Sequence, residues 1–426
     1  MTMRNRTSRL SGFYKLGRDE RLAEIQAVCG LDEAGVEALK NSSALPFDLL
    51  DRLVENAIGG FTVPVGIATN MIVDGRDVLI PMATEESSVI AAVGNTARQC
   101  RDTGGFTTSI SGTEMIAQIQ MVKLTDPWAA RAKILEKKAE IAEICDGCDP
   151  ILVKLGGGFR DLEVRIIDGQ TGPMVVVHII VDTKDAMGAN AVNTMAEKLA
   201  PSLAGWTGGQ HHLRILSNLA DRRVARARAV WRADDIGGAD VVEGIVMAAD
   251  FADCDPYRAA THNKGIMNGV SALTLATGND TRAIEAGAHA FAARTGRYRS
   301  LSRYEITAEG DLAGSIELPM ALGLVGGATK VHPTAQACLK ILGVKSAAEL
   351  SRIAAAVGLA QNFGALKALS TVGIQKGHMT LHAQNVAIAV GATGDEIAEV
   401  ARRLAETHTV RQDIAEGILA EIRAKT

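Results

Sequence analysis

The spacing of hydrophobic and polar positions along the chain predicts a mixture of helices and strands. The segment AQIQM at 117–121 alternates apolar and polar residues, which is the period of a half-buried strand, whereas VVVHIIV at 175–181 fits a fully buried strand. The segment TRAIEAGAHAFAARTG places its apolar residues on one face of a helix. The pattern therefore predicts an α+β protein.

The region from residue 111 to 217 can be interpreted element by element. After the strand at 117–121, Asp126 and Pro127 are good N-cap and N1 residues for a helix that continues through Leu135, Ala139 and Ala142. The strands LEVRII and MVVVHIIV follow, then a helix at about 191–200 and the strand HHLRILS. This order, β-α-β-β-α-β, predicts a small ferredoxin-like domain.

The flanking regions predict a larger α+β domain into which the small domain is inserted. GIATNMIVDGRDVLIPM predicts two strands joined at VDGRD, with Thr84 as the N-cap of the next helix, and SRYEITAEGDLAGSIELPMAL predicts a second hairpin. We assign residues 1–110 and 218–373 to the large domain. Beyond Thr371 the sequence predicts a short, charged helical unit, residues 374–426.

Composition excludes several classes of function. The 426-residue chain has a net charge of -4 and no long run of basic residues, which argues against nucleic-acid binding. The N-terminus has no continuous apolar core and no segment approaches the roughly 20 apolar residues of a membrane span, so we expect a cytoplasmic protein. Six scattered cysteines with one CxxC predict reduced thiols and no metal site.

The glycine-rich motifs give weak signals when each is taken alone. In GLVGGATK, Ala328 and Thr329 separate the lysine from the glycines, so the segment is not a phosphate-binding P-loop. LGGGF lacks the spacing of a Rossmann motif. DAMGAN at 185–190 precedes a helix whose first amides could hold an anion, although an ordinary strand-to-helix loop is the simpler interpretation.

The segment THNKGIMNG at 261–269 carries an isolated lysine, Lys264. Asparagine and glycine so close together predict irregular backbone, where binding groups are often found, although a solvated surface lysine is the commoner case. Structural explanations also suffice for the acids taken singly. Glu85 and Glu86 would complement a helix dipole, and Asp280 could cap the helix that starts at Thr281.

Taken together, these motifs carry a resemblance. THNKGIMNG, DAMGAN, LVGGAT and ALSTVGIQKGHMTLH, with ENAIGG, RDVLIPM, LGGGFRD, LSNLAD and ATGND, resemble hydroxymethylglutaryl-CoA (HMG-CoA) reductase, specifically the soluble bacterial class II enzymes. The likeness covers nearly the whole chain. It implies the four-electron interconversion of HMG-CoA with mevalonate and CoA, linked to NAD. Metabolite levels set the net direction in the cell, and mevalonate breakdown is the pathway expected for an NAD-linked enzyme.

The resemblance also implies catalytic roles. Lys264 would stabilise negative charge on a thioester oxygen, and Asp280 would keep that lysine charged and oriented. Glu86 would supply a proton, and His378, on a mobile C-terminal flap, would protonate the departing CoA thiolate. Ser87 stands where the family often has proline.

Further contacts are implied by the same matching positions. The substrate would be contacted by Glu55, Ser88, Arg258, Asn268 and Gln361. The dinucleotide would be contacted by Asp149, Asp185, Met187, Gly188, Asn190 and Asn218. A carboxylate at Asp149 would accept a ribose 2′-hydroxyl and repel a 2′-phosphate, so the resemblance predicts NAD over NADP. It further implies a homodimer with shared active sites, and leaves a trimer of dimers open.

Two other functions stay open from the residues alone. A desolvated Lys264 could form a Schiff base in a lyase that acts on a CoA thioester. Alternatively, the protein could bind CoA without turnover.

Overall fold

The computed structural model describes residues 7–41, 45–86, 88–371, 383–407 and 410–424. The predicted α+β class is confirmed. The strands are β1 Val65–Val73, β2 Arg76–Ala83, β3 Thr107–Ile110, β4 Glu114–Val122, β5 Gly158–Gly169, β6 Gly172–Asp182, β7 Gln210–Ser217, β8 Val224–Trp231, β9 Ser302–Ile306 and β10 Leu312–Pro319. The helices are α1 Arg18–Cys29, α2 Glu33–Lys40, α3 Phe47–Leu53, α4 Val89–Gln99, α5 Pro127–Glu136, α6 Lys138–Asp146, α7 Pro150–Lys154, α8 Ala189–Thr207, α9 Ala233–Ile236, α10 Ala239–Cys254, α11 Pro256–Ala276, α12 Thr281–Ala292, α13 Gly327–Val331, α14 Pro333–Leu342, α15 Ala347–Ser370, α16 at 383–389, α17 Asp395–Glu406 and α18 Gln412–Arg423.

One four-stranded sheet has the predicted ferredoxin-like connectivity. Its order is β5-β6-β4-β7, and its recorded strand pairs are antiparallel. Since α5 to α7 separate β4 from β5, and α8 separates β6 from β7, the chain order is β-α-β-β-α-β. The helix α8 packs on this sheet against β4 and β7. The predicted domain boundaries stay predictions.

A second sheet, in the order β3-β8-β10-β9, packs one face against the long buried helix α15. Trp231 of β8 stacks on Phe363 of α15 with ring centroids 4.2 Å apart, and both side chains are fully buried. The opposite face of the sheet carries alternate polar and charged residues that stay exposed. The β1–β2 hairpin packs beside α4 and α11.

The segment THNKGIMNG is helical, so the prediction of irregular backbone there was wrong. All nine residues belong to α11, which Asp255 caps by accepting a hydrogen bond from the amide of Arg258. A Cβ atom added to Gly269 would lie 2.9 Å from Cβ of Gln361 on α15. This glycine therefore permits close helix packing, and tertiary contacts override the turn preference of the composition.

Two element boundaries also differ from prediction. Thr84 is not a helix N-cap, since α4 begins at Val89, and its hydroxyl oxygen instead accepts a hydrogen bond from the amide of Glu86. The single helix predicted after Asp126 is divided at Lys137 into α5 and α6. Asp126 does cap α5, as predicted, by accepting from two amides.

The C-terminal residues 383–424 have a hydrophobic cluster of their own. Ala383, Ala387, Val400, Leu404 and Leu419 are among its buried members. This agrees with the predicted short, charged helical segment. Among the described residues, no helix combines the length and apolar character needed to cross a membrane.

Candidate active site

The side chains of Lys264 and Glu86 meet between α11 and the end of β2. Lys264 Nζ donates to Glu86 Oε2 at 3.3 Å. The packing of α11 against β2 brings these residues together although 178 positions separate them in sequence. The lysine side chain is 65% exposed and the glutamate 38%, so both groups are open to a ligand.

Two further donors hold the carboxylate of Glu86. Asn268 lies four residues after Lys264 on α11 and therefore on the same helix face, and its amide nitrogen donates to the same Oε2 at 3.3 Å. The hydroxyl of Ser88 donates to Oε1 at 3.4 Å. Hence both carboxylate oxygens have partners that fix the orientation of Glu86.

The buried side of α11 anchors the helix beneath Lys264. His262 Nε2 lies 2.7 Å from Ser302 Oγ, and Asn263 donates to the carbonyl oxygen of Arg299 at 2.8 Å and accepts from the amide of Leu301 at 3.0 Å. Burial lowers the pKa of His262 to about 3, with a smaller contribution from the charge of Arg258, so this histidine is neutral near pH 7. Sequence reasoning missed His262 and Asn263. If the segment is treated as a helix, His262 and Asn263 lie on the face opposite the exposed Lys264, and this position would have indicated that they are buried.

Gln361 extends the polar surroundings of this cluster. It is 5% exposed, it lies against Gly269, and its Oε1 is buried without a hydrogen-bond partner among the residues that the structure describes. Buried acceptors are normally paired, so an unpaired one indicates a group that a bound molecule could satisfy. Arg258 is half-buried in the first turn of α11, and burial lowers the pKa of its guanidinium.

Asp280 does not join Lys264 in the described chain. As predicted, it caps α12, where it accepts from the amides of Arg282 and Ala283, and its carboxylate pairs with the Arg282 guanidinium at 3.1 Å. From Lys264 to Ala276 the helix α11 rises about 18 Å, at about 1.5 Å per residue, and Asp280 follows that far end. His378 lies outside the described residues.

Four of the six residues expected to contact the dinucleotide lie at or just before the start of α8, namely Asp185, Met187, Gly188 and Asn190, whereas Asp149 lies at the start of α7 and Asn218 follows β7. Gly188, with φ of 97°, is the N-cap of this helix and offers no side-chain acceptor to its first amides. Asp185 Oδ1 accepts from the amide of Ala347 at 2.8 Å, and Asp149 Oδ1 caps α7 by accepting from Leu152. The remaining members of the set are the half-buried Met187 and the exposed Asn190 and Asn218. Glu55, expected to contact substrate, is exposed in a turn after α3.

The cluster of Glu86, Ser88, Lys264 and Asn268 combines a cation with an oriented carboxylic group. A cation and a proton source side by side suit a carbonyl that gains negative charge and then a proton. Among the described residues, no group of three or more His, Cys, Asp or Glu side chains is arranged to hold a metal ion.

Comparisons with known proteins agree on one family. The family model of hydroxymethylglutaryl-coenzyme A reductase matches residues 17–383. The chain is 56% identical over 418 residues to 3-hydroxy-3-methylglutaryl-coenzyme A reductase of Archaeoglobus fulgidus, covering 98% of this chain and 95% of that protein. The reductase of Streptococcus pneumoniae matches in structure with a TM-score of 0.83 at 40% identity, covering 97% of this chain and 99% of the other. The Streptococcus pneumoniae class II reductase bound to NADPH in open conformations matches with a TM-score of 0.81, also at 40% identity, over 96% of this chain and all of the other. The chain therefore belongs to the hydroxymethylglutaryl-CoA reductase family of oxidoreductases.

Proposed function

We propose that this chain interconverts HMG-CoA and mevalonate through the pair formed by Lys264 and Glu86, with a nicotinamide dinucleotide as the redox partner. The observation that carries the proposal is the 3.3 Å contact between Lys264 Nζ and Glu86 Oε2 on an open surface. These two residues are 178 positions apart in the sequence, so it is the fold that brings the cation next to the acid. Family membership favours reduction of a thioester over the lyase and the non-catalytic alternatives.

Each side chain in the cluster has a distinct task in this proposal. Lys264 donates to the substrate carbonyl oxygen and stabilises the charge that develops there. Glu86 carries the proton that the oxygen accepts, while Asn268 and Ser88 hold its carboxyl group in place. Gln361 Oε1 accepts a hydrogen bond from the bound acyl group, which satisfies its buried oxygen.

The ferredoxin-like unit, residues 111–217, is the proposed dinucleotide site, and its residues fit such a group. The first amides of the 19-residue helix α8 have no side-chain cap, so they can bind a pyrophosphate. When bound, the dinucleotide supplies or accepts hydride. Residues 185–190 orient it, and closure of the C-terminal unit that carries His378 would exclude water and bring the acid for the leaving thiolate.

NAD is the proposed dinucleotide of this chain. Asp149 uses Oδ1 to cap α7 and is partly exposed, which leaves Oδ2 for a ribose hydroxyl. A carboxylate at that place would repel a 2′-phosphate. A class II relative from Streptococcus pneumoniae binds NADPH, so the test is direct. We expect Asp149→Asn to lower the ratio of kcat/KM for NAD to that for NADP, and an unchanged ratio would remove Asp149 from this role.

The central experiment is a spectrophotometric assay with each dinucleotide in turn. Purified protein mixed with mevalonate, CoA and NAD should generate NADH absorbance, and HMG-CoA with NADH should consume it. Folded protein that gives flat traces in both directions with both dinucleotides would refute the proposed function. A borohydride-trapped adduct on Lys264 without any absorbance change would instead favour a lyase.

A homodimer with shared active sites is part of the proposal. The segment after α3 exposes large apolar side chains, with Ile58 100% exposed and Phe61 95% exposed, which is the surface a second copy would cover. Sharing would also explain how Asp280 could act on Lys264, since in the described chain Asp280 caps α12 beyond the far end of α11 and makes no contact with that lysine. Mixing Lys264→Ala and Asp280→Ala subunits should then restore part of the activity that each variant lacks. Monomeric wild-type protein with full activity would exclude this arrangement.

A further inference from the structure

A cleft rich in arginine lies on the exposed face of the β3-β8-β10-β9 sheet, away from the cluster around Lys264. Its volume is about 570 Å³, within the range of small-molecule sites. The strands form its floor, and the connection from α12 to β9 forms one wall. Its charged lining consists of Arg226, Arg228, Arg294, Arg299 and Arg303 with Asp253 and Glu317. Neither Glu86 nor Lys264 lines the cleft.

The strand register places donors in a row across the floor. Arg228 of β8 lies opposite Ser315 of β10, which lies opposite Arg303 of β9, and Thr107 of β3 pairs with Arg228 on the other side. Residues paired in this way project from the same face of a sheet. Neighbouring strands are about 4.8 Å apart, so the backbones of Arg228 and Arg303 are separated by about 10 Å. Two guanidinium groups can therefore approach one ligand from opposite sides.

The two acids in the cleft already have partners. Arg226 pairs with Glu317 at 2.6 Å, with Arg294 3.8 Å from the same carboxylate, and Arg299 forms an ion pair with Asp253. The Arg299 guanidinium beside Asp253 holds the pKa of that carboxyl below its usual value, and Arg303 adds to the effect. Several arginine side chains therefore lie close enough to Asp253 for their positive charges to act on it inside the cleft.

Arg228 and Arg303 have no direct partner among the described residues, although the charge of Asp253 acts on Arg303 from a distance. Across the described part of the chain, neither side chain makes a hydrogen bond or an ion pair. Clustered like charges repel one another, and a bound anion removes that cost. A guanidinium group can donate two parallel hydrogen bonds to the oxygens of one phosphate. Hydroxyls such as those of Thr107 and Ser315 add further donors.

We propose that this cleft binds a small molecule that carries two linked phosphate groups. A diphosphate offers each of the two unpaired guanidinium groups its own oxygens, and the serine and threonine hydroxyls reach the oxygens between them. A nucleic acid fits less well, because Asp253 and Glu317 interrupt the positive surface and the whole chain has a net charge of -4.

The cleft adjoins the rear of the lysine helix. The connection that forms its wall includes Arg299 and Leu301, whose backbone groups hydrogen-bond to the side chain of Asn263, the residue before Lys264. Ser300, in the same wall, bonds to His262 at 2.9 Å. An occupant of the cleft therefore contacts the segment that anchors α11.

The test is calorimetric titration of the full chain with inorganic pyrophosphate at physiological salt concentration. We expect saturable binding, which the double variant Arg228→Gln with Arg303→Gln weakens at least tenfold. Both positions are exposed, so the fold should persist. The matched control, Arg402→Gln with Arg411→Gln, makes the same change of charge on α17 and at the start of α18, and should bind as the wild type does.

Several outcomes would overturn the proposal. These are wild-type binding weaker than millimolar, or equal affinity in the double variant, which would place the binding outside the cleft, in the sites for CoA or the dinucleotide. Tighter binding of a short duplex oligonucleotide than of pyrophosphate would identify a nucleic-acid surface instead. A change of sedimentation coefficient in the double variant would identify an interface between copies. The result does not depend on whether the reductase assay succeeds.

Discussion

Lys264 Nζ and Glu86 Oε2 lie 3.3 Å apart, and Asn268 donates to the same carboxylate oxygen from one helical turn further along α11. The pair is open to solvent, so its contribution to folding stability is small. Such a contact is better suited to binding and catalysis than to stabilising the fold.

Replacing Lys264 by alanine should abolish most turnover without unfolding the protein. Loss of a donor to a developing oxyanion typically lowers kcat on the order of 100- to 1000-fold. The side chain is 65% exposed, so the thermal midpoint should stay near that of the wild type. Steady-state kinetics and a thermal melt measure both effects. Lys133→Ala, on the surface of α5, should leave kcat unchanged, and near-normal turnover of Lys264→Ala would refute the mechanism.

Glu86 and Glu85 form a natural pair of test and control. Glu86→Gln keeps the shape of the side chain but removes its charge and its proton, so we expect a loss of kcat on the order of 100-fold or more. Glu85 is exposed and precedes the residue that meets Lys264, so Glu85→Gln should keep kcat within about threefold of the wild type. Equal losses in the two variants would mean that the carboxylate beside Lys264 has no special role.

Two glycines on α11 should respond in opposite ways to alanine. At Gly269 a new Cβ would lie 2.9 Å from Cβ of Gln361 and 3.2 Å from Val357, so Gly269→Ala should lower the free energy of unfolding by about 1–3 kcal/mol. At Gly265 a new Cβ would lie more than 4 Å from every described atom beyond its own helix backbone and chain neighbours, and alanine favours a helix by roughly 1 kcal/mol over glycine. Urea unfolding of both variants would check this, and equal stability changes would contradict the packing of α11 on α15.

Buried His262 predicts a dependence of stability on pH. Its pKa in the folded chain is about 3, below the ordinary value of 6.5, so below pH 6.5 the unfolded chain binds a proton that the folded chain does not. The stabilising contribution of neutral His262 to the free energy of unfolding is therefore fully present above pH 6.5 and is lost progressively as the pH falls toward 3. Urea midpoints at pH 7.5 and 5.0 should differ less in His262→Gln than in the wild type. Equal differences would show that His262 does not contribute.

The elements with strong periodicity could be predicted from the sequence, because their alternation follows directly from burial of one face. The strands β4 to β7 and the cap at Asp126 are examples. THNKGIMNG could not, since Gly269 is required by the approach of Gln361 from a helix about 90 positions later, a contact that local composition does not encode. The resemblance brought Glu86, Lys264, Ser88 and Asn268 into one site, and the fold places these side chains in contact. It did not indicate that Asp280 would lie at the far end of the lysine helix.

The 24-residue helix α15 has a mechanical consequence for this arrangement. Its first residue, Ala347, is bound by the carboxylate of Asp185, its middle carries Gln361 against the lysine helix, and its last residue is Ser370. An unbroken helix of this length acts as a strut of about 36 Å. One rigid element therefore connects the loop at Asp185 with Ser370, so a tilt of this helix would change both places at once.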